Sequence, residues 1–170
     1  KQDWFGRYTE SIVKTESAND TNSENTFAAI KTEYTYSEYD NNKTSNRVET
    51  YVNKVYNGTS TDGNNYNSYN GYSYDYDANG NIIAEYSLNA GGTETLRYSY
   101  VYDELNQLVR VNDAVAQKTY TYTYDGAGNI LTKTTYPYSS EELGTATETL
   151  NYNPVPILNA VFAGFWFNKH

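Results

Sequence analysis

Tyr120-Thr121-Tyr122-Thr123-Tyr124-Asp125-Gly126-Ala127-Gly128-Asn129-Ile130 decides the fold. Tyr alternates with Thr up to the acidic residue. In an extended chain that period of two places three rings on one face of a sheet and the hydroxyl side chains on the other. After Asp125 the chain has to reverse. An aspartate at the first turn position can accept backbone N–H bonds, and a glycine takes positive φ without steric cost. Asp125-Gly126-Ala127-Gly128 therefore predicts a type I turn followed by a left-handed residue that forms a bulge. Ile130-Leu131-Thr132-Lys133-Thr134 resumes an extended pattern and completes a β-hairpin.

The same pattern recurs twice upstream, as Tyr72-Ser73-Tyr74-Asp75-Tyr76-Asp77-Ala78-Asn79-Gly80-Asn81-Ile82 and Tyr98-Ser99-Tyr100-Val101-Tyr102-Asp103-Glu104-Leu105-Asn106-Gln107-Leu108. Self-similarity of this kind is the mark of a repeat architecture. The Asp positions are 26 and then 22 residues apart, and the longer interval contains the turn-like Asn89-Ala90-Gly91-Gly92. In the middle copy Asn106 replaces Gly, a tolerable exchange because Asn is among the few side chains that visit the left-handed region. The predicted structural turn residues are thus Asp77 with Gly80, Asp103 with Asn106, and Asp125 with Gly128. Two weaker copies lie nearer the amino end: Asp3-Trp4-Phe5-Gly6-Arg7 keeps the D-x-x-G spacing, and Tyr34-Thr35-Tyr36 precedes Tyr39-Asp40. No segment has a helical period.

One hairpin alone cannot bury an aromatic face, so the array is the folding entity. The fold class expected is all-β, with tandem antiparallel β-hairpins forming a continuous curved or spiral sheet over residues 1–152. Polar stretches near 16–26 and 57–70 read as long loops. Thr147-Glu148-Thr149-Leu150-Asn151-Tyr152 repeats Thr93-Glu94-Thr95-Leu96-Arg97-Tyr98, after which Pro154 and Pro156 fall where Tyr100 and Tyr102 would be. Alternate prolines remove ladder donors and end a central strand. Residues 153–170 read as an apolar tail outside the array: the start of a following domain, a plug against the sheet end, or the product of a shifted reading frame.

Composition removes several function classes. The chain has 21 Tyr among 170 residues and a net charge of −9, which disfavours any partner held through phosphate neutralisation, so nucleic acid is not expected. With no Cys, and His170 the one histidine, there are no disulfides, thiolate metal sites or histidine catalysis to build. The absence of Met points to an internal piece of a longer chain, with no signal peptide of its own. The most apolar run, 155–167, is too short for a membrane span.

Y-x-Y-D-x-x-G followed by Asn or Arg and an aliphatic residue resembles the RHS or YD repeat. The likeness is clear over residues 72–135 and degenerate over 3–152. Arg, usual after the Gly in that family, occurs here as Arg7, with Asn81, Gln107 and Asn129 at the other copies. The resemblance implies a long β-sheet spiral coiled into a hollow shell, as in insecticidal toxin complexes, bacterial polymorphic toxins, wall-associated bacterial proteins and the teneurin ectodomains. It implies secretion or surface exposure. It also implies a scaffold, not an enzyme, whose partner is the rest of the parent polypeptide, an enclosed toxin or a displayed adhesive domain. The lack of Cys agrees with a bacterial source.

Three sharper sites compete with plain structural readings. Asp75-Tyr76-Asp77-Ala78-Asn79-Gly80-Asn81-Ile82 reproduces the start of an EF-hand-type calcium loop, but Tyr86 stands where the bidentate Glu belongs, and Val101 and Thr123 stand at the Asp75 position of the other copies. The turn reading is preferred, and no metal or cofactor is expected. Candidate glycan-stacking rings are Tyr74, Tyr76, Tyr100, Tyr102, Tyr122 and Tyr124, set against the bland alternative of rings packed between strands with their hydroxyls on water or backbone. The carboxylate pairs Asp75 with Asp77 and Glu141 with Glu142 read as solvated and not as a glycosidase pair. Sequons at Asn19, Asn42 and Asn57 are expected by chance in so Asn-rich a chain.

Overall fold

The computed structural model describes residues 1–15, 28–40, 43–56 and 66–152. It is all-β: among the described residues there is no helix, and the strands follow one another as antiparallel hairpins. The strands are β1 (Glu10–Thr15), β2 (Ala28–Asp40), β3 (Lys43–Tyr56), β4 (Tyr66–Tyr76), β5 (Ile82–Leu88), β6 (Glu94–Tyr102), β7 (Leu108–Asp113), β8 (Lys118–Tyr124), β9 (Ile130–Pro137) and β10 (Glu148–Asn151). The chain forms two compact units, Lys1–Tyr100 and Val101–His170. In the first, each strand from β2 to β6 pairs with the one before it. In the second, β8 to β10 each do the same.

Several expectations meet the structure directly. β4 starts at Tyr66, so the last five positions of the polar stretch 57–70 are strand and not loop. They are held there by pairing with β3, a tertiary effect that their Asn and Ser content conceals. Residues 57–65, the stretch 16–26, the tail 153–170 and the three sequons lie outside the described residues. The longer repeat spacing is spread out. Compared with the next repeat, one extra residue lies in the outgoing strand, one in the turn at 89–93 and two in the incoming strand.

Two faces of the first unit differ in chemistry. Tyr34 lies opposite Tyr51, and Tyr51 opposite Tyr72, so the period of two places these rings in one file across β2, β3 and β4. Their centroids are 6.3 and 5.3 Å apart. On the other face of β2, Lys31 and Glu33 belong to a charged file in which Lys31 meets Glu33 at 2.7 Å and Glu10 at 3.6 Å, and Lys54 meets Glu33 at 2.5 Å. A slip of one residue would set rings against charges, so the two files fix the register.

Apolar burial is thin. Among the described residues Ala84 is the one buried hydrophobic side chain, while Ser73, Asn112, Thr119 and Thr135 are buried polar ones. Each unit is a single hydrogen-bonded layer whose enclosed atoms are mostly polar.

Candidate functional site

The recurrent device is the turn. Asp77 N–H donates to Asn81 O at 3.0 Å and Gly80 N–H to Asp77 O at 3.1 Å, with φ of 97° at Gly80. Asp103 with Asn106, and Asp125 with Gly128, repeat both bonds, with φ of 59° at Asn106 and 86° at Gly128. Two further stations share the geometry. Asp3 with Gly6 has φ of 78°, although its flanking sequence is degenerate, and Asn89 with Gly92 has φ of 79° at the opposite end of a hairpin. In each, a positive φ closes a type I turn into a bulge, the role for which Gly or Asn is chosen.

The first turn residue does more than begin the reversal. Asp125 Oδ1 accepts from Ala127 N–H and Asn129 N–H, both at 2.9 Å, and its Oδ2 accepts from Asn129 Nδ2 at 2.9 Å. Asp77 takes Asn81 N–H at 2.8 Å and Asn81 Nδ2 at 2.9 Å, and Asp3 takes Arg7 N–H at 3.0 Å and Arg7 Nε at 2.6 Å. Asn and Arg are thus interchangeable after the Gly because each presents an N–H to the second carboxylate oxygen. The side-chain bond from Asn81, then the backbone donors, hold the Asp77 carboxyl below its ordinary value, and Asn129 does the same at Asp125. At Asp3 partial burial pushes upward, but the Arg7 hydrogen bonds outweigh it.

The Tyr preceding the turn ties one hairpin to the previous one. Tyr124 Oη donates to Leu108 O at 2.7 Å, Tyr76 Oη to Val48 O at 2.7 Å, and Tyr36 Oη to Tyr8 O at 2.8 Å. Leu108 and Tyr8 hold the same station, five residues after Asp103 and Asp3. In the weaker amino-terminal copy the clamp is therefore Tyr36.

Arginines add a second tie that the motif alone does not reveal. Arg7 lies 4.2 Å over the Tyr36 ring and donates to Ser45 O. Arg47 lies 5.7 Å from the Tyr76 ring and donates to Asp77 O at 3.2 Å. Arg97 is aimed by a bulge: Glu85 pairs with Tyr98 and Tyr86 with Leu96, so Arg97 is the extra residue. It meets Glu85 at 3.0 Å and covers Tyr72 at 4.8 Å. Each cation occupies a ring face that a planar ligand would otherwise use.

The six candidate stacking rings have different immediate surroundings. Tyr74 and Tyr76 line a cleft of about 590 Å³ with Ser37, Glu38, Arg47 and Glu49. Tyr100 stacks on Tyr98 at 6.2 Å, and Tyr102 and Tyr124 precede turns. Tyr122 faces Lys133 across β8 and β9. Burial, then neighbouring phenols and Glu85, push the Tyr74 hydroxyl up to about 12. Burial also raises Tyr51, Tyr76, Tyr122 and Tyr124.

The carboxylate pairs have separate occupations. Asp75 Oδ2 accepts from Tyr86 Oη at 3.0 Å, whereas Asp77 is committed to its turn. Glu141 and Glu142 are exposed, but their backbone carbonyls accept from Arg110 Nη1 at 2.8 Å and Ser139 Oγ at 2.7 Å. Those bonds belong to a polar cluster that alternation of Tyr and Thr did not disclose. Thr119, fully buried, bonds Asn112 Oδ1 at 3.1 Å and Ser139 O at 3.2 Å, and accepts from Ser139 N–H at 3.1 Å. Arg110 Nε reaches Asn112 Oδ1 at 2.8 Å and its Nη2 reaches Ser139 O at 2.5 Å. The signal available in the sequence was a lone Arg and Asn on β7, opposite Thr121 and Thr119 of β8.

No curated protein matches the chain. Residues 102–141 match the family model described as RHS Repeat. The matched stretch contains the turns at Asp103 and Asp125, the Tyr124 clamp and the segment that covers Thr119, and the same turn and clamp recur outside it at Asp77 and Tyr76. Residues 102–141 thus carry an RHS, or YD, repeat.

Proposed function

We propose that the array is a load-sharing wall of a secreted or cell-surface bacterial protein, and that it encloses or presents a toxin or adhesive domain of the same polypeptide. The observation that carries this reading is a tie between hairpins through a Tyr hydroxyl, seen at Tyr36, Tyr76 and Tyr124. A device repeated along the array spreads stability along a wall instead of concentrating chemistry at a point. The reading is non-catalytic: the acidic side chains at the turns are engaged in holding the backbone.

The test is protease protection of the gene product as its host makes it. With the hairpins of residues 66–137 intact, a neighbouring non-repeat domain resists added protease; removal of whole hairpins renders it digestible. Equal digestion of both forms would overturn the wall reading.

A carbohydrate-binding surface is the second reading, and the cleft beside Tyr74 and Tyr76 is the observation in its favour. The Tyr74 ring beside carboxylates and an arginine offers the stacking and hydrogen bonds that sugars use. Binding on a glycan array that Tyr74→Ala abolishes, with the far-ultraviolet spectrum unchanged, would support it; no binding would remove it.

A further inference from the structure

We infer that Tyr51 and Tyr72 are a site of oxidative cross-linking, the pair becoming a dityrosine staple between β3 and β4 when a haem peroxidase and hydrogen peroxide act on the folded protein. The two residues are direct partners in the antiparallel register, and their ring centroids are 5.3 Å apart with planes inclined by 32°. This is the shortest ring separation in the Tyr file, where Tyr34 and Tyr51 are 6.3 Å apart. Directly opposed strand residues have Cβ atoms about 4.5–5.5 Å apart, which lets the two phenols meet without moving the backbone. Tyr98 and Tyr100 are 6.2 Å apart on a single strand, and a bond between them would join no new strand.

The composition directs oxidation toward these rings. Thiol and thioether sulfurs are the usual sinks for oxidants, and this chain has no Cys and no Met. Tyr51 and Tyr72 are each half-buried, so they remain reachable by small oxidants while their neighbours fix their orientation. Arg97 over Tyr72 and the Tyr34 ring beside Tyr51 hold the outer sides of the pair and leave each ring facing the other.

The step balances. Each phenol gives one hydrogen atom to the peroxidase, the two ring carbons next to the hydroxyls form a C–C bond, and each of those carbons then returns its proton to its oxygen. The protein loses two hydrogens, and hydrogen peroxide is reduced to two waters. The product closes a covalent ring of chain through residues 52–71, which restricts the unfolded state as a disulfide would in a chain that has none.

The experiment treats the whole chain, at high dilution, with a haem peroxidase and hydrogen peroxide, followed by peptide mapping. The expected product is a Tyr51 peptide joined to a Tyr72 peptide, lighter by two hydrogens than their sum and fluorescent in the blue. It should be the main linked pair in the monomer fraction and should disappear in Tyr51→Phe, which keeps the ring and removes the phenol. Treated wild-type chain should unfold at higher urea than untreated chain, and treated Tyr51→Phe should not. Linked pairs distributed as in urea-unfolded chain, products confined to intermolecular dimers, or survival of the main product in Tyr51→Phe would each overturn the proposal.

Discussion

The two units use the same hairpin and cover it differently. In the first, Tyr34, Tyr51 and Tyr72 run across the strands with Arg97 on the last ring, and the whole file stays half-buried. In the second, the most enclosed side chain is Thr119, on the face away from the rings, beneath a segment pinned through Ser139 and Glu141. A Tyr-rich strand therefore does not by itself bury its ring face: Ser73 and Ala84 in the first unit lie, like Thr119, on the side away from the rings. Enclosure goes to the face that receives a covering segment, and residues 138–142 supply one through hydrogen bonds. A buried hydroxyl with partners differs in consequence from a half-exposed one, because removing the first leaves donors and acceptors stranded away from water.

Thr119→Val keeps the shape and removes the hydroxyl, leaving Ser139 N–H and Asn112 without that partner. A loss of about 2 kcal/mol is expected in urea unfolding, with faster exchange of the Ser139 amide. Tyr51→Phe removes a hydroxyl from the ring file and should cost less than about 0.5 kcal/mol. Equal losses would erase the distinction between the units.

Next in size is a contrast of two turns with the same geometry. A Cβ on Gly80 would come 2.7 Å from Arg47 Nη2, whereas one on Gly128 would have Gln107 Nε2 at 3.5 Å as its nearest neighbour. Both positions have positive φ, so Gly128→Ala should cost about 1 kcal/mol for the backbone alone. Gly80→Ala should cost about 2 kcal/mol, since Arg47 must also leave Asp77 O. Urea midpoints of the two variants decide this, and Ala127→Val, outside the positive-φ position, serves as the neutral reference.

The hydroxyls of the three motif Tyr are also unequal. Tyr124→Phe loses the bond to Leu108 O and should cost about 1 kcal/mol. Tyr122→Phe keeps its ring opposite Lys133 and should cost less. If both cost the same, the clamp between hairpins contributes nothing particular.

Legibility in the sequence followed how local each interaction is. Period two and D-x-x-G give the strands and turns because both are set within one hairpin, and even the Asp3 copy, poor in Tyr, forms the full turn. The ties between hairpins were hidden. The clamping role of Tyr36 depends on which carbonyl lies beneath it, 28 residues away, and Arg97 reaches the ring face through a bulge that alternation cannot anticipate. The strand character of residues 66–70 was likewise invisible, because Asn and Ser favour loops until pairing with β3 supplies their hydrogen bonds. The candidate site divides in the same way: the turn residues are explained by their own neighbours, while the stacking candidates have surroundings that only register reveals.

Ionisation should give the smallest change per group, and it separates turns from rings by pH. Tyr74 is neutral up to about 12 in the folded chain against an ordinary phenol value of 10.0, so its folded value is the raised one. The stability linked to it is complete below 10.0 and is lost as pH rises from there through about 12. Asp77 and Asp125 have folded values below the ordinary 3.8, so their contribution is present above 3.8 and is lost as pH falls through the depressed values. Urea midpoints followed against pH should show a plateau with an alkaline and an acid fall. Tyr74→Phe should soften the alkaline fall and leave the acid one unchanged. Asp125→Asn, which retains an oxygen for the Ala127 and Asn129 amides, should soften the acid fall alone. A Tyr74→Phe profile that changes on the acid side would mean that rings and turns do not act as separate stores of stability, and the contrast between the two kinds of contact would have to be redrawn.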